Sequence, residues 1–515
     1  MKEPATHNPQ STPWGIPARK GLLLGPLLAV AVYLAFPSLA PGLGASPRMV
    51  CAVGVLMATW WLTEAVPLAA TALLPLLLFP ILGVMGIGSI AAQYGDPLIF
   101  LFLGGFLLGI AFEKSGLHRR IALLIVQVFG TRPSALVAGV MLATAFLSMW
   151  VSNTASALMM LPIAMGLVAM SEQRALTGAD PAADPAGTPP SPGPFACCML
   201  LGVAYAASIG GIATPIGTPP NAFAVSYLSR HHGHELDFAR WMTAAMPLVL
   251  ILLPLVWLLL TRVLHPLRGV PALADRSFVR AKLKELGPLS GAEWTTVAVF
   301  LAAVAWWTGR ETFCRLLGLG DLRPDGTWVP RLSDAGVAIA AAVLLFALPT
   351  AGRRDRFVLR AADFARVPWE VLVLFGGGLS LAAAMDTSGL THAIGSIFTF
   401  FKGVHPVVLI FVVALVITAL SELASNTAVA ATVIPVLASA ADGMGVAPLL
   451  LIFPAVLSAS FGFMLPVATP PNAIVYATGR LRTAHMIRAG IVVNILAIVT
   501  LTMLYGLAGG VLLRR

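Results

Sequence analysis

Two stretches of this 515-residue chain carry the same small polar residues in the middle of apolar runs. SMWVSNTASALMMLP at 148–162 and SELASNTAVAATVIP at 421–435 agree at seven of fifteen positions, in the pattern S-x-x-x-S-N-T-A-x-A-x-x-x-x-P. A second pair follows them, GIATPIGTPPNA at 211–222 and GFMLPVATPPNA at 462–473, identical at seven of twelve. None of the four contains Lys or Arg. The chemistry on offer is coordination. Asn and Ser oxygens and freed carbonyls suit a hard cation such as Na⁺, while N–H groups at a helix start suit an anion. Glu422 is the ionisable side chain at the second triplet, and its counterpart is Met149. A carboxylate at membrane depth serves either as a proton carrier or as a local support. With methionine at the matching position a symmetric role is excluded, which favours support.

Other chemistries lack their residues. No G-x-S-x-G, H-E-x-x-H or G-x-x-x-x-G-K-[ST] motif occurs, so neither hydrolytic catalysis nor an ATP-driven pump is indicated, and the chain is not read as an enzyme. Four cysteines, Cys51, Cys197, Cys198 and Cys314, show neither disulfide nor metal-ligand spacing.

The elements that hold these residues are membrane helices. Hydrophobic residues make up 58% of the chain and charged ones 10%. With a mean hydropathy of +0.89 that describes a polytopic membrane protein, with the lipid bilayer as its partner. Apolar runs predict spans over 21–36, 47–63, 64–83, 96–113, 195–228, 240–261, 293–309, 335–350, 368–386, 447–478 and 485–511, with further apolar segments at 133–170 and 404–441. Started from the inside, this arrangement places 22 of the 32 Lys and Arg on the inner face. It puts the N-terminus in the cytoplasm and the C-terminus outside. The net charge of +10 then reflects topology and calls for no nucleic acid.

The segments 133–170 and 404–441 each have two apolar arms of roughly 16 residues, about 24 Å as helix and short for a hydrocarbon core of about 30 Å. Re-entrant helical hairpins fit those lengths, with SNT at each tip. Broken backbone at that depth is tolerated where it lines a cavity. Both the SGL motifs at 115–117 and 388–390 and the two triplets are offset by 273 residues, and the hairpins enter from opposite faces, so the repeats are inverted. The TPPN pair is offset by 251, and the difference is largely matched by a Pro- and Gly-rich insert at 177–194. TPPN cannot continue a helix, because adjacent prolines remove donors and clash with the preceding turn. Inverted repeats with interrupted helices point to a secondary transporter with its site at mid-membrane. Two other readings stand beside it: SNT as ordinary interhelical hydrogen bonding, and a channel whose tips form a filter.

These two triplets, the two TPPN elbows, MLPVATPPNAI at 464–474 and WWLTEAVPLAATALLPLLLFP at 60–80 resemble the divalent anion/sodium symporter family over nearly the whole chain. The resemblance implies a homodimer in which a transport domain moves as an elevator against a scaffold. It implies one Na⁺ site at Ser148, Ser152, Asn153 and the Gly217 carbonyl, and another at Ser421, Ala424, Asn426 and the Ala468 carbonyl. It also implies that substrate carboxylates meet Asn153, Thr154, Asn426 and Thr427 in a cavity lined by Thr218, Thr469 and Pro470. ATPIG at 213–217 departs from the expected pattern, with alanine and proline where the family leads one to expect more glycine.

The expected fold is an all-α polytopic membrane protein, an inverted repeat of about 11 transmembrane helices and two re-entrant hairpins. Its expected parts are a cytoplasmic tail (1–20), scaffold helices (21–94), a first transport part (95–228), scaffold helices and loops (229–366), a second transport part (367–480) and a C-terminal helix (481–515). The expected function is Na⁺-coupled transport of a small dianion, foremost C4-dicarboxylates such as succinate, malate and fumarate, in a bacterial inner membrane. The alternatives are a Na⁺-independent dicarboxylate exchanger of the same fold, or a sulfate or citrate carrier.

Overall fold

The computed structural model describes residues 18–39, 42–177, 193–232, 236–270, 272, 277–322, 328–350 and 353–512. Most of the tail at 1–20 and of the insert at 177–194 lies outside them, as do Arg514 and Arg515. Among the described residues ten helices are long and apolar enough to cross a membrane. An eleventh results if Val279–Leu286 and Gly291–Leu316, which meet at 100°, form one broken span.

Prolines set many of the starts. Pro97, Pro133, Pro194, Pro406, Pro448 and Pro470 each open a helix, where the missing N–H costs nothing. The two repeats keep this phasing: Pro133–Ser148 and Asn153–Thr177 begin 273 residues before Pro406–Leu423 and Asn426–Met444. Within each pair the two arms pack on one another.

Four features differ from the sequence expectations. Residues 64–83 form no single crossing but two short helices, Leu68–Ala72 and Leu74–Ile81, between Pro67 and a turn at Leu82 and Gly83. Arms of 18 and 19 residues in the second hairpin, and a return arm of 25 in the first, are longer than expected, so arm length alone does not keep a tip at mid-depth. The second elbow joins Pro448–Ser458 to Pro470–Tyr476, halves of 11 and seven residues that rise only about 16 and 10 Å. Neither half can cross alone.

The third difference is a helix after each SGL. Gly116 (φ 81°) and Gly389 (φ 83°) take the left-handed conformation that glycine adopts without strain. Each turns the chain out of a crossing helix, Pro97–Ser115 or Trp369–Ser388, into an amphipathic one, Leu117–Val128 or Leu390–Phe398. The fourth is two small antiparallel ribbons, Gly320–Leu322 with Trp328–Pro330 and Pro349–Thr350 with Arg353–Phe357, in an otherwise helical chain.

Candidate functional site

At the first tip the chain leaves helix at 149–152 and re-enters it at Asn153. The Ser148 hydroxyl, fully buried, lies 2.7 Å from Asn153 Oδ1 and 2.7 Å from the Ala207 carbonyl oxygen. The elbow is tied to the tip by the Thr214 hydroxyl, which donates to the Met149 carbonyl at 2.5 Å. Asn221, the asparagine of the first TPPN, donates from Nδ2 to the Gly211, Ile212 and Thr214 carbonyls at 3.0, 3.2 and 2.8 Å. A Cβ on Gly211 would press into Asn153 Oδ1, and one on Gly217 into the Gly211 carbonyl. Glycine is what lets elbow and tip approach so closely.

The second site repeats this design. Ser421, also fully buried, has its hydroxyl 2.6 Å from Asn426 Oδ1 and 2.5 Å from the Ala459 carbonyl. Asn472 donates to the Gly462 and Leu465 carbonyls, each at 2.9 Å, and the Thr469 hydroxyl accepts from the Asn472 amide at 3.4 Å. Ala468 packs on Gly462, which also faces the Ser421 carbonyl.

Each serine hydroxyl has one proton and two acceptors at hydrogen-bonding distance, so it can satisfy only one. The surplus grows at the asparagines, since Asn221 Oδ1 and Asn472 Oδ1 are buried without a partner among the described residues. Oxygen clusters with more lone pairs than protons fit a hard cation. Thr154 and Thr427, one residue beyond Asn153 and Asn426, are half-buried, and their hydroxyls have no partner among the described residues. They are free to meet a carboxylate.

The residues singled out from sequence fall as follows. Ser148, Asn153 and Gly217 gather around Gly211, and Ser421, Asn426 and Ala468 around Gly462. Ser152 is turned to another task, its hydroxyl accepting from the Ala155 amide at 3.3 Å. Ala424 is buried in extended backbone between the two arms. Thr218 and Thr469 are buried, and Pro470 is exposed. Sequence reasoning missed the Ala207 and Ala459 carbonyls, for which no side chain speaks. It also gave no role to Asn221 and Asn472, whose identical place in each TPPN was the available signal.

The two sites interlock. The return arm Asn153–Thr177 packs on Pro470–Tyr476, and the return arm Asn426–Met444 packs on Pro219–His232. Tyr205 meets Phe463 edge-on at 5.1 Å between ring centroids.

Glu422 breaks the symmetry. Its carboxylate accepts from the backbone amides of Phe463, Met464 and Leu465 at 2.8, 2.9 and 3.1 Å, and from Asn494 Nδ2 at 2.6 Å. It clamps the second elbow onto the second tip, as Thr214 ties the first elbow through the backbone of Met149. Of the two roles left open by the sequence, this geometry is that of a support.

Comparison with known proteins bears on the same elements. Residues 20–513 match the sodium:sulfate symporter transmembrane region. The sodium-dependent dicarboxylate transporter SdcS of Staphylococcus saprophyticus is 39% identical over 486 residues, 94% of this chain and 90% of its own. The protein of the same name from Staphylococcus aureus is 38% identical over 490 residues, again 94% and 90%. Among solved structures the Alcanivorax borkumensis YdaH transporter, described as having an unusual topology, aligns with a TM-score of 0.54 over 82% of this chain and 87% of that one. At 17% identity that likeness is one of fold.

Proposed function

The chain belongs to the sodium:sulfate symporter family, and from that premise we propose that it is a sodium-coupled secondary active transporter of C4-dicarboxylates such as succinate, malate and fumarate. The observation that carries the reading is the pair of proton-poor oxygen clusters at Ser148–Asn153 and Ser421–Asn426, set at breaks that contain no Lys or Arg. A dianion brought to such a site needs its charge offset, and cations held in those clusters offset it. In this reading Na⁺ is cargo as well as counter-charge.

We further infer two Na⁺ sites, one at Ser148, Asn153 and the Gly217 carbonyl with Ser152 at its edge, the other at Ser421, Asn426 and the Ala424 and Ala468 backbone. The substrate carboxylates lie between Thr154 and Thr427, bounded by Thr218, Thr469 and Pro470. The hairpins enter from opposite faces, with the N-terminus in the cytoplasm and the C-terminus outside a bacterial inner membrane. The reading includes elevator movement of a transport part (95–228 with 367–480) against a scaffold, in a homodimer; the turns at Gly116 and Gly389, each leading through an amphipathic helix into a hairpin, are compatible with it.

Proteoliposomes with labelled succinate provide the test. An inward Na⁺ gradient is expected to drive concentrative, saturable uptake that K⁺ and Li⁺ gradients do not match, with tenfold excess malate or fumarate competing and sulfate not. Equal uptake on a K⁺ gradient would turn the assignment to an exchanger. Competition by sulfate alone would turn it to a sulfate carrier.

A further inference from the structure

A cavity of about 770 Å³ opens beside the first tip. One wall is the return arm from Ala155, next to Thr154, down to Ile163, a stretch of about 12 Å along the helix axis. The far end is charged, with Lys114, Arg119 and Lys282 among the lining residues together with Glu113 and Glu285. The volume falls in the range of small-molecule sites. It lies along the arm that leads away from Asn153, on the side that the distribution of Lys and Arg assigns to the inner face.

The equivalent face of the second return arm is covered. Leu158 is 54% exposed, whereas Ala431, 273 residues later, is fully buried; Pro162 is exposed, whereas Pro435 is buried.

Most charges at the inner mouth are cancelled. Lys114 pairs with Asp363 at 2.5 Å, Glu113 with Arg366 at 2.7 Å and Lys282 with Glu285 at 2.8 Å. The His118 ring nitrogen sits 2.9 Å from the Phe112 carbonyl. Arg120, the neighbour of Arg119, is a staple: it pairs with Glu293 at 2.7 Å and donates to the Leu286, Gly287 and Pro288 carbonyls. Arg119 is exposed, lines the cavity, and has no carboxylate within ion-pair distance among the described residues. At the 273-residue offset its outer counterpart is His392, and that of Lys114 is Thr387, so the outer mouth has no permanent cation at either position.

We propose that Arg119 is the steering group of the inner mouth, a specificity-determining residue that draws the dianion into the cavity toward Thr154 from the cytoplasmic side only. The inference rests on the anion-transport reading above. A fixed cation at a water-filled mouth with low-dielectric walls raises the local concentration of an anion and its entry rate. At the distance of a cavity half-length, a unit charge acting on a dianion is worth a three- to tenfold change, roughly, in apparent affinity. An arginine placed merely by membrane topology would change nothing of the kind.

The test compares initial rates of labelled succinate transport in inside-out and right-side-out membrane vesicles. Arg119→Gln is expected to raise the KM measured from the inner side roughly three- to tenfold and Arg119→Glu to raise it further, while Arg119→Lys stays within about twofold of wild type. The outer-side KM should hold within about twofold in all three, and the inner-side difference should shrink as choline chloride is raised from about 0.01 to 0.1 M, since the Debye length falls from about 30 to 10 Å. KM does not depend on how much protein folds, so poor expression of one variant leaves the comparison intact. An inner-side KM unmoved by both Gln and Glu, or equal shifts on the two sides, would overturn the proposal. Wild-type transport without any Na⁺ requirement would instead count against the symport reading, and the inner-to-outer KM comparison would still stand on its own.

Discussion

Asn153→Ala and Asn426→Ala are each expected to lower Na⁺-driven succinate uptake on the order of a hundredfold or more, at unchanged protein abundance in the membrane. Replacing an outer-shell partner of a metal ligand already costs about 10–100-fold. Here the oxygen removed is one of three clustered around a single serine proton, Asn153 Oδ1 with the Ala207 carbonyl at Ser148, or Asn426 Oδ1 with the Ala459 carbonyl at Ser421. Without it the acceptor surplus that suits a cation disappears, because the serine then satisfies the remaining carbonyl completely. Fold stability should suffer little for the same reason. The check is initial-rate uptake per reconstituted protein over a Na⁺ titration. Residual uptake within about threefold of wild type, with unaltered Na⁺ dependence, would place cation binding elsewhere.

Glu422→Ala is expected to act through stability first. Its carboxylate is the acceptor for three consecutive backbone amides and for the Asn494 amide, in a buried position. Removing the acceptor leaves these neutral donors unpaired, at about 1–3 kcal/mol for each that water cannot reach. The detergent-solubilised variant should therefore melt about 5 °C or more below wild type, with transport lost as the second elbow loosens. Glu422→Gln keeps size but turns an N–H toward donors that need an acceptor, so it should fall between the two. Thermal unfolding monitored by size-exclusion chromatography reads both. A Glu422→Ala protein with wild-type melting and lost transport would point to the proton-carrier role instead.

Much of this arrangement was legible in the chain because it is written twice. Serine, asparagine and threonine at a constant offset, followed by TPPN at a nearly constant one, carry their meaning in clustered polar side chains and paired prolines that mark breaks in an apolar run. Other parts left weaker traces. The Ala207 and Ala459 carbonyls are backbone atoms, and any small residue there would supply them. The helix at Leu117–Val128 is short and carries His118, Arg119 and Arg120 in its first turn, so an apolar scan passes over it; its period of 3.6 was the signal. The run at 64–83 is apolar enough to read as a crossing, yet it is broken at Leu73 into two short helices that pack without spanning. Arm length misled in the opposite direction. Both return arms stay helical through Pro162 and Pro435, which lengthened them beyond what the apolar pattern implied.

Energetic coupling between cation and dianion is the centre of the account, and reciprocity gives it a direct test, since a flux that Na⁺ drives must also drive Na⁺. Proteoliposomes with equal Na⁺ on both sides, the membrane potential clamped, should accumulate radiolabelled Na⁺ above equilibrium when an inward succinate gradient is imposed, and Asn153→Ala or Asn426→Ala should abolish that accumulation. Radiolabelled Na⁺ that merely equilibrates, indifferent to the succinate gradient while succinate itself crosses, would contradict the account.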